Sequence, residues 1–359
     1  MRQVFGNATI LAGEELECLR GYVVVEDGRI AEVGEGSPGR SYVNLKRGVV
    51  CPSFTNAHTH IGDACAPDAG AYLHLRERVG SKGLKFRLLE DRERVRQGMR
   101  RALEEMRRTG TGCFADFREG GIEGLELLRQ VVEQSSVSCV ALGRPDGDPP
   151  ERVIERADGF GVSSVSNYTR EELRRMRRLA ERLGKLFAVH CSELRDDTAE
   201  VLKLEPDFVV HMTSASPESL EEVCRRRLPV VLCPRANGSF AAGLPEAGRL
   251  LECTTVALGT DNVMANSLNM MREMEFVFKL ARGQSRDEKL RAELVLRAAT
   301  INGRKILGRD SNAIQEGNVA DFVIFRNKYI YEPALSIVHR MEAEDIRGFV
   351  IGNRYVRRV

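Results

Sequence analysis

The stretch VVCPSFTNAHTHI, residues 49–61, is an apolar run that ends in two histidines spaced two residues apart. It is the first of eight apolar runs between about Val49 and Leu307, and a segment with helical periodicity follows each run. This alternation favours a parallel sheet covered by helices. The predicted strands are Val49–Ile61, Thr111–Phe117, Val137–Gly143, Gly159–Ser164, Leu186–Cys191, Phe208–Met212, Val230–Cys233 and Thr254–Gly259.

Two helix starts are explicit in the sequence. Thr169 and Glu172 have capping-box spacing, and Ser216 precedes a proline at the first helical position. The first helix is predicted to bury one face, formed by Leu173, Met176, Leu179 and Leu183. Eight strand-helix units in about 250 residues predict an α/β protein with a (β/α)8 TIM-like barrel. A doubly wound open sheet is the alternative.

The two chain ends have a different pattern. Residues 21–30 alternate as strands do, and Asp27-Gly28 is a hairpin turn signal. Near the other end, residues 319–325 and 348–351 predict short strands, and Gly352-Asn353 predicts a turn. We therefore divide the chain into β segments, 1–50 and 309–359, and a central barrel, 51–308.

Composition restricts the function classes. The 359 residues are 42% hydrophobic and 30% charged, enough for a sizeable core, and the net charge is only +2. That balance does not favour nucleic acid or an anionic membrane as partner, so we expect a small-molecule ligand. We expect no secretory signal and no membrane span, and the nine cysteines include no CxxC pair. We expect reduced thiols, a cytoplasmic location and a homo-oligomer of two or more copies.

Polar residues stand at the ends of four predicted strands. Catalytic groups of a (β/α)8 barrel lie at the carboxyl ends of its strands, and two histidines at i and i+2 on a strand face the same side. Any one of these histidines alone would be interpreted as a core or surface residue. Together with an aspartate they suit a zinc or iron site with a position left for water. The residues are His58, His60, His190, His211 and Asp261, whereas His74 and His339 have no such placement.

These motifs resemble the amidohydrolase superfamily over the full chain, in its mononuclear-metal branch. That branch holds cytosine, guanine and adenosine-type deaminases and the triazine chlorohydrolases. The resemblance rests on five segments: His58-Thr59-His60, His190-Cys191-Ser192-Glu193, residues 233–237 (CPRAN), residues 259–262 (GTDN) and residues 314–321 (IQEGNVAD). It implies the same barrel, with a small β-sandwich assembled from both chain ends.

The resemblance also implies one divalent metal ion, zinc or alternatively iron, with water as a further ligand. Its protein ligands would be His58, His60, His190 and Asp261. Binuclear members bridge two ions with a carboxylated lysine or a glutamate near the end of strand four. The chain has no lysine between Lys85 and Lys185, and its predicted strand four contains no carboxylate. We therefore expect a single ion. Cys191 and Cys233 are predicted to be spectators.

Three residues take catalytic roles by this resemblance. Bound metal lowers the pKa of water from 15.7 to about 7, and Asp261 would accept the proton. His211 would hydrogen-bond the attacking oxygen. Glu193 would protonate a ring nitrogen as hydroxide adds to the neighbouring carbon. The alternative for Glu193 is an acidic residue in the first turn of a helix.

The predicted function is hydrolytic deamination of an amino-substituted nitrogen heterocycle such as a nucleobase or nucleoside. Chlorohydrolysis and hydrolysis of a cyclic amide or amidine are alternatives that use the same site. A binding or scaffold protein built on the same barrel is the non-enzymatic alternative.

Substrate contacts are expected from loops after the strands. The candidates are Asp63, His74, Arg118, Glu119, Arg144, Arg235 and Asn237. Arg144 could bind a carboxylate or phosphate, or form a surface ion pair. Residues 79–85 have the glycines and charge of a mobile lid, or of a solvated loop.

Overall fold

The computed structural model describes residues 2–80, 82–328 and 331–357. Ser81 of the predicted lid, and five residues of the terminal segments, lie outside the described residues. The strands are β1 (Arg2–Ala12), β2 (Glu17–Glu26), β3 (Arg29–Glu35), β4 (Val43–Pro52), β5 (Phe54–His60), β6 (Thr111–Arg118), β7 (Ser138–Gly143), β8 (Gly159–Val162), β9 (Leu186–Cys191), β10 (Phe208–His211), β11 (Val230–Leu232), β12 (Val256–Leu258), β13 (Asp261–Asn262), β14 (Asp321–Phe325), β15 (Ile346–Ile351) and β16 (Arg354–Arg357).

Helices follow the barrel strands and cover them. They are α1 (Leu75–Val79), α2 (Leu84–Leu89), α3 (Arg92–Arg108), α4 (Gly121–Val132), α5 (Pro150–Arg156), α6 (Arg170–Arg182), α7 (Thr198–Val201), α8 (Pro217–Arg226), α9 (Pro234–Ser239), α10 (Ala247–Cys253), α11 (Met270–Ser285), α12 (Ala292–Ala298), α13 (Ile301–Ile306) and α14 (Pro333–His339).

The central sheet closes on itself as a barrel. Parallel pairing runs from β12 through β11, β10, β9, β8, β7 and β6 to β5, and β5 also pairs with β13. Only Gly259 and Thr260 separate β12 from β13. The same stretch of chain therefore pairs with β11 at one end of the sheet and with β5 at the other, which closes the barrel. The (β/α)8 prediction is confirmed, and the open-sheet alternative is wrong.

The first predicted strand is divided in two. Ser53 interrupts the run 49–61: its N–H donates to the Asp321 carbonyl at 3.0 Å, whereas the N–H of Phe54 donates to the Gly110 carbonyl at 2.9 Å. The chain therefore leaves the terminal sheet at β4 and enters the barrel at β5. Pro52, which has no N–H to give to a ladder, ends β4.

Strands from both chain ends form one seven-stranded sheet. Its order is β16-β15-β14-β4-β1-β2-β3, in which β1 and β4 are parallel and the other pairs antiparallel. The strands that were expected to form a small β-sandwich are thus hydrogen-bonded into one continuous sheet. The hairpin predicted at Asp27-Gly28 joins β2 to β3, and the turn predicted at Gly352-Asn353 joins β15 to β16. Asp27 and Gly28 have the positive φ that a two-residue turn of this kind requires.

Both explicit helix starts are confirmed. Thr169 and Glu172 form a reciprocal capping box before α6, and the Ser216 side chain accepts from the N–H of Ser219 at α8. Leu183 lies one residue beyond α6 and is 45% exposed, so the prediction that it lies on the buried face of this helix was wrong.

Two of the nine cysteines are paired, which corrects the expectation of reduced thiols throughout. Cys224 near the end of α8 and Cys253 at the end of α10 form a disulfide with their Cα atoms 5.2 Å apart. Their separation of 29 residues gives no sequence signal, because it is the tertiary packing of α8 beside α10 that brings them together.

No helix among the described residues is long and apolar enough to cross a membrane. The cytoplasmic location, the homo-oligomer, the domain boundaries and the exclusion of nucleic acid stay predictions.

Candidate active site

The predicted metal ligands come together at the carboxyl end of the barrel. Ligand atoms of His58, His60 and His190 all lie within 4.8 Å of one another, and so do those of His58, His211 and Asp261. All five side chains are buried, and the most exposed, His190, is only 7% accessible. The five strand-end residues therefore share one site.

Backbone carbonyls orient two of the imidazoles. Nδ1 of His60 lies 3.0 Å from the carbonyl oxygen of Phe117, and Nδ1 of His190 lies 2.7 Å from that of Val162. A carbonyl can only accept, so each Nδ1 carries the proton and each Nε2 presents a lone pair. This is the arrangement in which outer-shell groups fix metal-ligating histidines.

The residues fit a divalent metal ion. Two ligand atoms each about 2.0–2.1 Å from a tetrahedral ion lie roughly 3.3 Å apart. The Asp261 Oδ1 atom lies 3.1 Å from His58 Nε2 and 3.4 Å from His60 Nε2. The donor set of imidazoles and one carboxylate suits zinc and iron alike.

Burial sets the charge state of this cluster. It lowers the pKa of His58 to about 3 and that of His190 well below its ordinary value, so both imidazoles are neutral. Burial alone would raise the pKa of Asp261. The hydrogen bond with His58 and the neighbouring imidazoles outweigh burial and hold that pKa far below its usual range. Neutral imidazole and ionised carboxylate are the forms that bind metal.

Asn56 joins the first and last barrel strands beside the cluster. Its amide Nδ2 donates to Thr260 Oγ1 at 2.7 Å, and its Oδ1 accepts from the Thr260 N–H at 2.9 Å. At Gly259, an added Cβ would lie 2.7 Å from Cβ of His58, so only glycine permits this approach. Asp261 is thereby placed opposite His58. Sequence reasoning missed Asn56, although its position two residues before His58 on the same strand was a usable signal.

Glu193 lies at the rim of the cluster. Its Oε2 is 4.0 Å from His211 Nε2, and its side chain is 24% exposed. Burial raises the pKa of Glu193, while His211 opposes the shift. A carboxyl of raised pKa holds a proton closer to neutral pH, which suits a proton donor.

Four predicted substrate-contact residues belong to a buried ion network. Glu119 is its hub, with Oε1 3.0 Å from Arg144 Nη1 and Oε2 2.6 Å from Arg118 Nη2. The same Oε1 lies 2.8 Å from Nδ1 of His60. Substrate contact by Asp63, Arg118, Glu119 and Arg144 stays a prediction, because here their charged ends face one another.

Lys85 completes this network from the predicted lid. Its Nζ lies 2.8 Å from Asp63 Oδ2 and 2.6 Å from Glu119 Oε1, and the side chain is buried. With Asp116, which lies 3.4 Å from Arg118, the network holds three carboxylates and three cations. Burial would lower the pKa of Lys85, but the two carboxylates outweigh it and raise that pKa. Lys85 was predicted only as the last residue of a lid or solvated loop, and its partners were missed because nothing near it in sequence marks them.

The remaining candidates are scattered. Arg235 Nη1 lies 3.5 Å from Oε2 of Glu273, a fully buried acid on α11 whose pKa is raised by burial to about 7. Asn237 contacts His211. His74 is exposed ahead of α1, and His339 is half-buried at the end of α14. Neither Cys191 nor Cys233 is in a metal-compatible group of the described residues.

Comparison with known proteins agrees with this geometry. Residues 49–351 match the amidohydrolase family. The chain belongs to the amidohydrolase family. A putative aminohydrolase from Methanothermobacter thermautotrophicus is 35% identical over 384 aligned positions, which cover 99% of each chain. The family assignment confirms the prediction of a hydrolase that acts on carbon–nitrogen bonds.

Two further proteins extend the comparison. A 5-methylthioadenosine/S-adenosylhomocysteine deaminase from Thermococcus onnurineus is 26% identical over 93% of this amidohydrolase and 88% of the relative. An adenosine deaminase from Xanthomonas campestris, solved with bound zinc, superposes with a TM-score of 0.83 at 21% identity, covering 99% of this chain and 92% of that one. The superposition on the adenosine deaminase shows that the two chains share a fold.

The ion network predicts a selective loss of stability. Lys85→Met leaves Asp63 and Glu119 buried without their shared cation, so we expect the free energy of unfolding to fall by about 3 kcal/mol. Urea denaturation measures the change. Lys82→Met, at an exposed position of the same segment, is the control and should change it by under about 0.5 kcal/mol. Equal stability of the two variants would contradict the network.

Proposed function

We propose that this amidohydrolase is a hydrolytic deaminase of an amino-substituted nitrogen heterocycle, with one divalent metal ion at the strand-end cluster. The position of Glu193 carries the proposal. Glu193 lies beside a buried group of imidazoles, and about a quarter of its own side chain is accessible. The exposed part of this carboxyl is available to a ring that enters from solvent. The deaminases among the relatives support an exocyclic amine as leaving group and favour an adenosine-type ring.

The metal would be held by His58, His60, His190 and Asp261, and we favour zinc. When bound, such an ion lowers the pKa of coordinated water to about 7 and so supplies hydroxide at neutral pH. The protein would determine where the protons go. His60 and His190 are held by backbone carbonyls with Nε2 free, and no lysine or carboxylate of β8 is available for a second ion.

In the proposed reaction the oxygen of water adds to the ring carbon that bears the amine. Asp261 accepts the proton that water loses. Glu193 gives its proton to the adjacent ring nitrogen, so the addition builds no negative charge on the ring. His211 donates a hydrogen bond to the new oxygen. The carbon–nitrogen bond then breaks and ammonia leaves with the proton held by Asp261. The new hydroxyl group passes its proton to the Glu193 carboxylate, which restores that acid and leaves a carbonyl group on the ring.

The proposed metal content has a direct test. We expect elemental analysis of purified protein to give one equivalent of divalent metal per chain, and Asp261→Asn to lower that content because it removes a charged ligand. The same elemental analysis distinguishes zinc from iron. Two equivalents per chain would show that a bridging ligand exists which β8 does not provide.

The reaction type is tested by the product. We expect the metal-loaded protein to release ammonia from at least one member of a panel of aminopurines and their nucleosides, aminopyrimidines, aminotriazines and pterins. Chloride release from chlorinated triazines and ring opening of cyclic amides are measured in parallel. Asp261→Asn should abolish turnover and serves as the blank. If ring opening proceeds and no amine is lost, the amide-hydrolase alternative replaces deamination.

The role of Glu193 is tested by Glu193→Gln. Glutamine keeps the shape and hydrogen-bonding reach of the side chain but has no transferable proton. We therefore expect metal content to be unchanged and kcat to fall by about 10²- to 10⁴-fold on the best amine substrate. Glu200→Gln, at an exposed position on α7, is the matched control and should keep full activity. A Glu193→Gln variant as active as the parent would refute the proton-donor role.

A further inference from the structure

The side-chain amide of Asn237 lies directly behind His211. Its Nδ2 is 3.1 Å from His211 Nδ1, and both residues are buried. The main chain of Asn237 is fixed on both sides, since its N–H donates to the Cys233 carbonyl at 3.0 Å and its own carbonyl accepts from Ala242 at 2.9 Å. The position of Asn237 beside His211 is therefore fixed by main-chain hydrogen bonds of α9 at the end of the barrel.

The orientation of this amide has a chemical consequence. With Nδ2 toward His211, the amide donates and only its oxygen, Oδ1, is left without a partner. The reverse orientation would leave the whole NH2 group unpartnered in a buried position. Unpaired buried N–H groups are rarer than under-satisfied carbonyl oxygens. The orientation with Nδ2 toward His211 is thus lower in free energy, and it requires an unprotonated Nδ1 on His211.

We propose that Asn237 is a positioning residue that fixes the proton of His211 on Nε2. Neutral imidazole carries one N–H, so an acceptor at Nδ1 makes Nε2 the donor. His211 Nε2 has no hydrogen-bond partner among the described residues and is the nitrogen on the Glu193 side. Asn237 thereby makes His211 a hydrogen-bond donor to the reacting oxygen and keeps its lone pair away from the metal ligands.

The backbone at His211 supports a fixed ring. His211 has φ +84° and Met212 has φ +58°, a left-handed conformation that is strained for non-glycine residues. The Met212 N–H to Cys191 carbonyl bond, at 3.0 Å, holds this turn. The turn aims the imidazole, and the Asn237 amide prevents the ring from rotating by 180°. Sequence analysis expected Asn237 to contact substrate, so the two roles make different predictions.

Nitrogen NMR tests the proton position without reference to turnover. In protein with ¹⁵N-labelled histidine, protonated and unprotonated ring nitrogens have distinct shifts, and the His211 signals are assigned by their loss in His211→Gln. We expect Nε2–H in the parent, both metal-free and zinc-loaded. In Asn237→Asp the carboxylate accepts only, so the proton should move to Nδ1. Asn302→Asp, a half-buried asparagine on α13, should leave the His211 signals unchanged.

Kinetics separate positioning from substrate contact, and this arm alone depends on the proposed deaminase function. We expect Asn237→Leu and Asn237→Asp to lower kcat about 100-fold, the scale of losing one oriented donor, while KM changes less than threefold and metal content stays at the parent level. A raised KM with unchanged kcat would instead establish Asn237 as a substrate contact.

The two arms fail separately. Nδ1–H in the parent overturns the proposal whatever the protein catalyses, and it needs no variant that folds. A parent with Nε2–H that releases no ammonia from any amine refutes the deaminase function and leaves the proton assignment standing. Unchanged His211 signals in Asn237→Asp also overturn the proposal.

Discussion

The reciprocal hydrogen bonds between Asn56 and Thr260 hold the seam on which the site depends. A barrel must close with its last strand, and here that strand is short: β12 has three residues and β13 two. Few backbone bonds are available there, so two side-chain bonds form a large part of the closure. His58, His60 and Asp261 lie on the two strands that meet at this seam. Closure of the fold and assembly of the metal-compatible cluster are therefore the same event.

The ion network supports the cluster from the other side. Six buried charges are expensive to desolvate, and apolar residues of equal volume would cost less. The residues that the network contacts indicate its role in the site. Glu119 reaches Nδ1 of His60, so its carboxylate adds to the Phe117 carbonyl in keeping Nε2 of that imidazole free. Lys85 ties the segment after α1 to the same carboxylate. The position of that segment and the orientation of a candidate metal ligand are thus linked.

Much of this could be predicted from sequence, because period-2 spacing and strand ends are local features. The eight strands and the convergence of His58, His60, His190, His211 and Asp261 followed from these features alone. The break at Ser53 could not be predicted, since two sheets compete for one apolar run and the choice lies in distant partners. Lys85, the Cys224–Cys253 pair and the contact of Asn237 with His211 escaped for the same reason. Each depends on residues brought together only by the barrel.

The arrangement of protons around His211 limits what each catalytic group can do in the proposed reaction. An imidazole whose Nδ1 accepts from Asn237 and whose Nε2 carries the proton has no free lone pair, so it cannot act as a base. The proton of water must then pass to Asp261. A carboxylate whose pKa is held so far down is a weak base, but for that reason it readily returns a proton. That property suits a carrier between the attacking water and the departing amine. The raised pKa of Glu193 suits donation of a proton to the ring nitrogen. Burial would raise the pKa of both carboxyls, but the imidazoles beside Asp261 outweigh it there and do not at Glu193, and this difference separates their roles.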